Sequence, residues 1–207
     1  MTWCSLPRML GSGAMLVGMF LMSMTLCCCG GRLYFREIPD PPCPMETLLI
    51  DDSLVPEKFD YVSSGDPAHR FGVEFQRISF SNPHRAGQVV QTVYRDWTER
   101  EASRGYDDLA ETYFSPDAAF FCNDVETKWE TPSEFASFSP GADQWQLGCL
   151  VGCSTGENTC QFIAQYGVYV VWSYADLSAA MASSDYEQIV QDIDRRMTEC
   201  INPSELE

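Results

Sequence analysis

Cysteines are the residues whose type and spacing point most directly to chemistry. The chain of 207 residues contains ten cysteines. Cys4 precedes a long apolar run, and residues 27–29, all cysteines, lie at the end of that run. The other six are Cys43, Cys122, Cys149, Cys153, Cys160 and Cys200. An even number of cysteines behind an export-type segment indicates up to three disulfides, formed in an oxidising compartment.

Three pairings are predicted for these six cysteines, although six cysteines allow about 15 connectivities. The favoured pairs are Cys43–Cys200, Cys153–Cys160 and Cys122–Cys149. The first would tie an N-terminal tether to the far end of the chain, and the second would close a hairpin across a loop that contains glycine. The alternative pairs Cys149 with Cys160 across the hairpin and leaves Cys153 for Cys122.

The sequence contains no recognisable motif for binding a metal ion or a cofactor. The spacing Cys149-x3-Cys153-x6-Cys160 lacks the paired CxxC or the nearby histidine of a tetrahedral zinc site. The sequence also lacks GxxxxGK[ST], GxGxxG, GxSxG, HExxH and an EF-hand loop. We therefore predict neither a metal site nor a cofactor.

Histidines and clustered acids are the remaining candidates for catalysis. His69 and His84 lie in turn-like stretches that flank a predicted strand, and no Ser or Cys nearby completes a relay. Asp107, Asp108 and Glu111 fall close together on a predicted helix, where carboxylates could do acid–base work or bind calcium. A solvated helix face is the more ordinary interpretation, so no catalytic residue is predicted.

The charge of the chain excludes one class of partner. Thirty acidic residues against 13 Lys and Arg give a net charge of −17. A field of this sign repels phosphate backbones, so nucleic-acid binding is not expected. The same field repels anionic membrane surfaces, so it suits a soluble body held away from a membrane, or one that attracts cations. The sequence does not identify a protein or small-molecule partner.

The N-terminal segment is organised like a secretory signal. Arg8 precedes an uncharged, mostly apolar run over residues 9–31, and no A-x-A-like cleavage site follows. Leu26 stands three residues before Cys29, with cysteines at the two positions between them. This arrangement resembles the lipobox of bacterial extracytoplasmic lipoproteins, which implies a lipid on Cys29, with Cys27 and Cys28 as alternatives. The resemblance covers the first 30 residues alone.

Two alternatives to lipidation remain for this segment: an uncleaved transmembrane helix and, less expected, cleavage followed by secretion. About 20 apolar residues are enough to cross a bilayer, so the run is also long enough for an uncleaved transmembrane helix. Lipidation and the uncleaved helix both predict membrane anchoring on the extracytoplasmic face of the cell membrane. The predicted organisation is a signal or anchor over residues 1–29, a Pro-rich tether over 30–44, and one domain over 45–207.

The periodicity of the body predicts an α+β fold. It predicts strands over residues 70–80, 88–97, 118–122, 145–151 and 161–174, with a bend at Gly167, and a brief strand near 135–138. Residues 63–67 read as a turn. A T-x-x-E capping box at Thr98 opens a helix ending at residue 114, and a similar box at Ser184 opens a helix ending at 201.

The elements assemble into an antiparallel sheet of about five strands, packed with two amphipathic helices and preceded by an N-terminal hydrophobic helix. Two functions are compatible with this reading. The favoured one is a membrane-anchored extracytoplasmic domain with a binding or structural role. The alternative is a small cell-surface enzyme with a dispersed acidic and histidine site.

Overall fold

A computed structural model describes residues 42–70, 73–83, 87–114, 128–151, 158–177 and 181–202. Within these residues, seven strands and two α-helices form an α+β fold. The strands are β1 (Asp60–Arg70), β2 (Val73–Ser81), β3 (Gln88–Arg95), β4 (Lys128–Glu130), β5 (Gln144–Val151), β6 (Asn158–Tyr166) and β7 (Tyr169–Leu177). The helices are α1 (Glu99–Phe114) and α2 (Ser183–Ile201). Short 3-10 turns cover Met45–Leu48, Asp52–Leu54 and Ser133–Phe135.

The sheet is antiparallel throughout and has the order β1-β2-β3-β7-β6-β5-β4. The expected sheet of about five strands is therefore close, and the predicted hairpin of β2 and β3 is confirmed. Residues alternate between the two faces of each strand. One face packs against α2 and the first two 3-10 turns, and the other packs against α1. We call them the α2 face and the α1 face.

The α2 face is a continuous apolar core. Helix α2 contributes residues at helical spacing, with Tyr186, Ile189 and Ile193 each 0 % exposed. The Tyr186 hydroxyl donates to the carbonyl oxygen of Ser173 at 3.0 Å, which satisfies its buried polar group. Gln91 of β3 binds the first 3-10 turn from both ends of its side-chain amide, to the Leu48 carbonyl and the Ile50 N–H.

Two disulfides lie on the α2 face. Cys43 is bonded to Cys200 near the end of α2, as the sequence predicts. Cys149 is bonded to Cys160, its direct partner in the register of β5 and β6. The favoured pairings Cys153–Cys160 and Cys122–Cys149 are therefore wrong, because strand pairing places Cys149 and Cys160 opposite each other. Cys122 and Cys153 lie outside the described residues.

The largest error in the strand predictions concerns residues 161–174. They form two strands rather than one, and a two-residue turn at Gly167 and Val168 joins β6 to β7, with Tyr166 opposite Tyr169. Gly167 has a φ of 57°, a conformation that glycine adopts without a steric penalty. Both strands are central and buried on both faces, so the run stays mostly apolar on each side of the turn.

Three smaller expectations also fail. Residues 63–67 belong to edge strand β1, whose register shifts between Gly65 and Ala68 and so accommodates a proline. The brief strand near 135–138 is replaced by the 3-10 turn Ser133–Phe135. Helix α2 begins one residue earlier than its predicted cap, and the Asp185 carboxylate accepts from the Ala182 N–H at 2.8 Å.

The predicted anchor, most of the tether and the strand over 118–122 lie outside the described residues, as do Cys27, Cys28 and Cys29. Among the helices that the structure does describe, none has the length and apolar character needed to cross a bilayer.

Candidate functional site

A cavity of about 200 Å³ lies on the α1 face, between helix α1 and the sheet. Its walls come from three elements: the end of β3, the start of β7 and the middle of α1. The lining residues are Tyr94, Asp96, Gly105, Asp108, Leu109 and Val170. A cavity of about 150 Å³ with apolar walls is already large enough to hold benzene. The cavity on the α1 face therefore has room for a small ligand.

Asp96 is the unusual member of this lining. It follows β3 directly, and its backbone N–H donates to the Val168 carbonyl at 2.9 Å, which fixes its position beside the β6–β7 turn. The residue is 7 % exposed, yet no described residue donates a hydrogen bond to its carboxylate. Burial, and then the negative charge of Glu101, raise the pKa of Asp96 to about 6. A largely buried aspartate is therefore held without a cation from the described residues.

Gly105 makes room for this carboxylate. It lies in the middle of α1, where glycine costs about 1 kcal/mol relative to alanine. A Cβ at this position would stand 3.3 Å from the Asp96 Oδ2. The helix thus approaches the sheet closely at one point, and glycine allows the carboxylate to lie against it.

The position of α1 over the sheet is set by polar contacts at its N-terminal end. The Thr98 hydroxyl accepts from the Glu101 N–H at 3.2 Å, so Thr98 caps the helix as predicted. The Glu101 carboxylate accepts from the Thr98 hydroxyl at 3.0 Å, whereas in the predicted capping box it would accept from the Thr98 N–H. Gln165 of β6 donates through its side-chain amide to the Glu99 carbonyl at 3.1 Å. The Gln144 amide donates to the Ser103 hydroxyl at 3.2 Å. These contacts fasten the helix turn that precedes the cavity.

The other end of α1 rests on stacked aromatic rings. Tyr113 stacks on Trp172 with ring centroids 4.4 Å apart, and Trp172 stacks on Tyr174 at 5.4 Å. The Trp172 indole N–H donates to the Gln161 side-chain oxygen at 3.0 Å. This end is packed by aromatic rings, and the cavity lies at the middle of the helix.

The residues proposed from sequence are dispersed in the structure. Asp107, Asp108 and Glu111 are all exposed on α1, and Asp108 alone of the three lines the cavity. His69 belongs to β1, but its side chain is not among those described, and His84 lies outside the described residues. Within the described part of the chain, no group of three His, Cys, Asp or Glu side chains could hold a metal ion.

Asp96 was not singled out from the sequence. It appeared there as part of a predicted strand over residues 88–97, in which a single acid attracts no attention. Two signals were available: an acid directly after an apolar strand, and an unexplained glycine in the following helix. Only the crossing of α1 over β3 shows that the two belong together.

No protein-family model and no curated protein matches this chain. Among solved structures, the crystal structure of the extracellular domain of PknH from Mycobacterium tuberculosis is similar to it, with 12 % identity and a TM-score of 0.49. That match covers 74 % of this chain and 94 % of the PknH domain. A function therefore has to be inferred from the residues of the chain itself.

Proposed function

We propose that this chain is an extracytoplasmic domain, anchored to a membrane by its N-terminal segment, that binds a small ligand in the cavity on the α1 face. The observation that carries the proposal is a cavity of about 200 Å³ that contains a buried carboxylate without a described partner. Ligand sites are typically concave and apolar, with a few polar groups that fix orientation. Leu109, Val170 and Tyr94 supply the apolar walls, and Asp96 supplies the polar group.

Cysteine chemistry and the N-terminal segment support the extracytoplasmic location. Disulfides persist in oxidising compartments and are rare in reducing ones. The described residues contain two of them, and one joins residues 157 positions apart. The apolar run over residues 9–31 and the lipobox-like Leu26 and Cys29 supply the means of export and anchoring.

Binding fits the described residues better than catalysis does. The enzyme alternative calls for carboxylates gathered with a histidine in one pocket. The cavity gathers Asp96 and Asp108, and its described lining contains no histidine, serine or cysteine. The groups in place can hold a ligand, and the described lining supplies no serine or thiol nucleophile and no imidazole base to act on it.

A ligand screen with a cavity-filling variant tests the binding proposal. The full chain in detergent micelles would be screened by ligand-observed NMR against small aromatic and alkyl compounds. Leu109→Trp places an indole in the cavity, whereas Thr112→Trp adds the same ring at an exposed position of the same helix. We expect hits that Leu109→Trp abolishes and Thr112→Trp retains. Hits that survive in both variants, or no hits at all, would contradict the proposal.

Mass spectrometry of the membrane fraction tests the anchor. We expect an intact mass that corresponds to a chain starting at Cys29, or at Cys27 or Cys28, with diacylglycerol attached. A species that retains residues 1–26 without diacylglycerol would eliminate the lipoprotein assignment and leave the uncleaved helix. A soluble, unmodified species outside the cell would rule out anchoring altogether.

A further inference from the structure

We propose that the ligand of the α1-face cavity carries a primary ammonium group on a small apolar body, and that Asp96 is the counter-ion for this group. This inference rests on the proposed function, since it names the chemical class of the ligand for the same site. It assigns to Asp96 a binding role that the fold itself does not require.

Asp96 has no cation beside it among the described residues. Its neighbour in sequence, Arg95, points to the opposite face of the sheet and forms an ion pair with Glu74. The charged group that most affects Asp96 is Glu101, which has the same sign. An ionised carboxylate only accepts hydrogen bonds, and the described residues donate none to it. The Asp96 carboxylate therefore remains available to accept from a donor that a ligand brings.

Burial of Asp96 lowers the desolvation cost of pairing it with a cation. A buried charge pair gains little when both partners must leave water on binding, because the cost of desolvation offsets the attraction. Here the fold has already buried most of Asp96, and its raised pKa reflects the cost of that partial desolvation. With a pKa of about 6, the carboxylate is ionised at pH 7.5. An arriving cation bears mainly its own desolvation, and its attraction to the partly desolvated carboxylate is stronger than it would be in water.

The composition of the cavity lining favours an organic ammonium ion over a metal ion. Calcium takes about six to eight oxygen ligands, and magnesium needs near-octahedral coordination by oxygen. The cavity is lined mainly by apolar surface, which includes Leu109 and Val170, and Asp96 and Asp108 are the two acidic residues of this lining. One ammonium group can donate to Asp96 while the attached hydrocarbon covers the apolar walls. The exposed Asp108 and the net charge of −17 further favour the approach of a cation.

Calorimetry with a matched set of probes tests this assignment. Benzylammonium, benzyl alcohol and benzoate share one ring and differ in the charge of the head group. Each would be titrated into the full chain in non-ionic detergent at pH 7.5. We expect benzylammonium to bind at least tenfold more tightly than benzyl alcohol, and benzoate to give no measurable binding.

Two variants separate the cavity carboxylate from the general field of the protein. Asp96→Asn removes the charge inside the cavity, and Asp107→Asn removes one charge from an exposed position of α1 that does not line it. We expect Asp96→Asn to weaken benzylammonium binding at least tenfold and to change benzyl alcohol binding less than threefold. Asp107→Asn should leave both within twofold. Equal losses in the two variants would overturn the assignment of Asp96.

A pH series on the unmodified protein gives an independent readout that needs no variant. The described titratable groups around Asp96 are Glu101 and Asp108 of α1 and Tyr94 of β3, whereas β7 contributes only Val170. Protonation of Asp96 below pH 6 removes the counter-ion. We expect benzylammonium affinity to fall at least fivefold between pH 7.5 and pH 5, while benzyl alcohol affinity stays constant. A cation affinity that is independent of pH would count against Asp96.

The outcomes also distinguish failure of this inference from failure of the proposed function. If benzyl alcohol and benzylammonium bind equally well and Leu109→Trp abolishes both, the cavity is a ligand site and the cationic class is wrong. If neither probe binds, or if binding survives in Leu109→Trp, the cavity is not the site and both proposals fail.

Discussion

The two faces of the sheet are built from alternate residues of the same strands, yet they differ in how they are closed. The α2 face has a continuous apolar core, and the disulfides Cys43–Cys200 and Cys149–Cys160 both lie on it. The α1 face has a smaller apolar cluster, and beside that cluster lies a cavity with a buried aspartate. One sheet therefore carries a face that stabilises the fold and a face that remains available to a ligand.

Two neighbouring residues of the chain show the contrast most clearly. Arg95 faces the α2 side and is paired with Glu74, whereas Asp96 faces the cavity and has no described partner. A charge inside a stabilising core requires compensation, because an unpaired buried charge destabilises the folded state. A charge in a binding cavity can be left for the ligand to compensate. The following predictions test whether the faces differ in this way.

The largest expected effect comes from the longer of the two disulfides. Replacing Cys43 and Cys200 by alanine opens a loop with a sequence separation of 157, whereas the Cys149 and Cys160 replacement opens one of 11. The chain-entropy argument gives losses of about 5 kcal/mol and about 3 kcal/mol respectively. Urea unfolding of the two double variants measures both. A larger loss of stability when the Cys149–Cys160 disulfide is removed would contradict this expectation. It would show that pairing of β5 with β6 contributes more to stability than closure of the long loop does.

Large-to-small substitutions should reduce the free energy of unfolding more on the α2 face than on the α1 face. Ile189 of α2 is 0 % exposed, and Ile189→Ala should cost about 3 kcal/mol, since the core around it cannot collapse freely. Leu109 of α1 is half-buried beside the cavity, and Leu109→Ala should cost about 1 kcal/mol, because it already lacks neighbours on one side. Equal losses in urea unfolding would remove the distinction between the faces.

Asp96 should make stability depend on pH in a recognisable direction. Because its folded-state pKa is raised from 3.8 to about 6, the folded state binds the proton more tightly, and its contribution to stability falls as pH rises from 4 to 6. The shift corresponds to about 3 kcal/mol at most, and to about 1–2 kcal/mol once solvent in the cavity screens the charge.

Asp96→Asn should therefore raise the free energy of unfolding at pH 7.5 by about 1–2 kcal/mol and leave it nearly unchanged at pH 4. Urea titrations at the two pH values measure this difference. Lower stability of the variant at pH 7.5 would mean that the carboxylate makes a stabilising contact in the folded protein, contrary to the account of a counter-ion held for a ligand.

Gly105 gives the smallest effect and the finest test of geometry. Alanine gains about 1 kcal/mol of helix propensity, but its Cβ would stand 3.3 Å from the Asp96 Oδ2. In the wild-type background we expect Gly105→Ala to change stability by less than about 0.5 kcal/mol, and in an Asp96→Ala background to gain about 1 kcal/mol. A double-mutant cycle measures the coupling. The same gain in both backgrounds would show that the carboxylate does not lie against the helix.

The sequence predicted the elements whose patterns are local. The apolar stripe of α2, the Thr98 cap of α1 and the β2–β3 hairpin follow from spacing over a few residues, and all three are present. Two strands were misjudged because their signals conflict. Gly167 divides a run that stays apolar because both β6 and β7 are central, and Pro67 reads as a turn although an irregular edge strand accommodates it.

The candidate site was not predictable in the same way. Burial of Asp96 is a tertiary property, because it depends on where α1 crosses the end of β3. The pairing of Cys149 with Cys160 likewise depends on a register that spacing alone leaves open. The sequence pattern did identify the acidic residues Asp107, Asp108 and Glu111 of α1, but only Asp108 lines the cavity.

Methyl NMR of the full chain, titrated with benzylammonium at pH 7.5, tests the central claim most directly. Val170 and Leu109 carry methyl groups at the cavity, and Ile189 and Ile193 carry methyl groups in the core of the α2 face. We predict saturable shifts of the Val170 and Leu109 methyl signals, while the Ile189 and Ile193 signals stay unchanged. Comparable shifts on both faces, or shifts confined to Ile189 and Ile193, would contradict the assignment of the α1 face as the binding face.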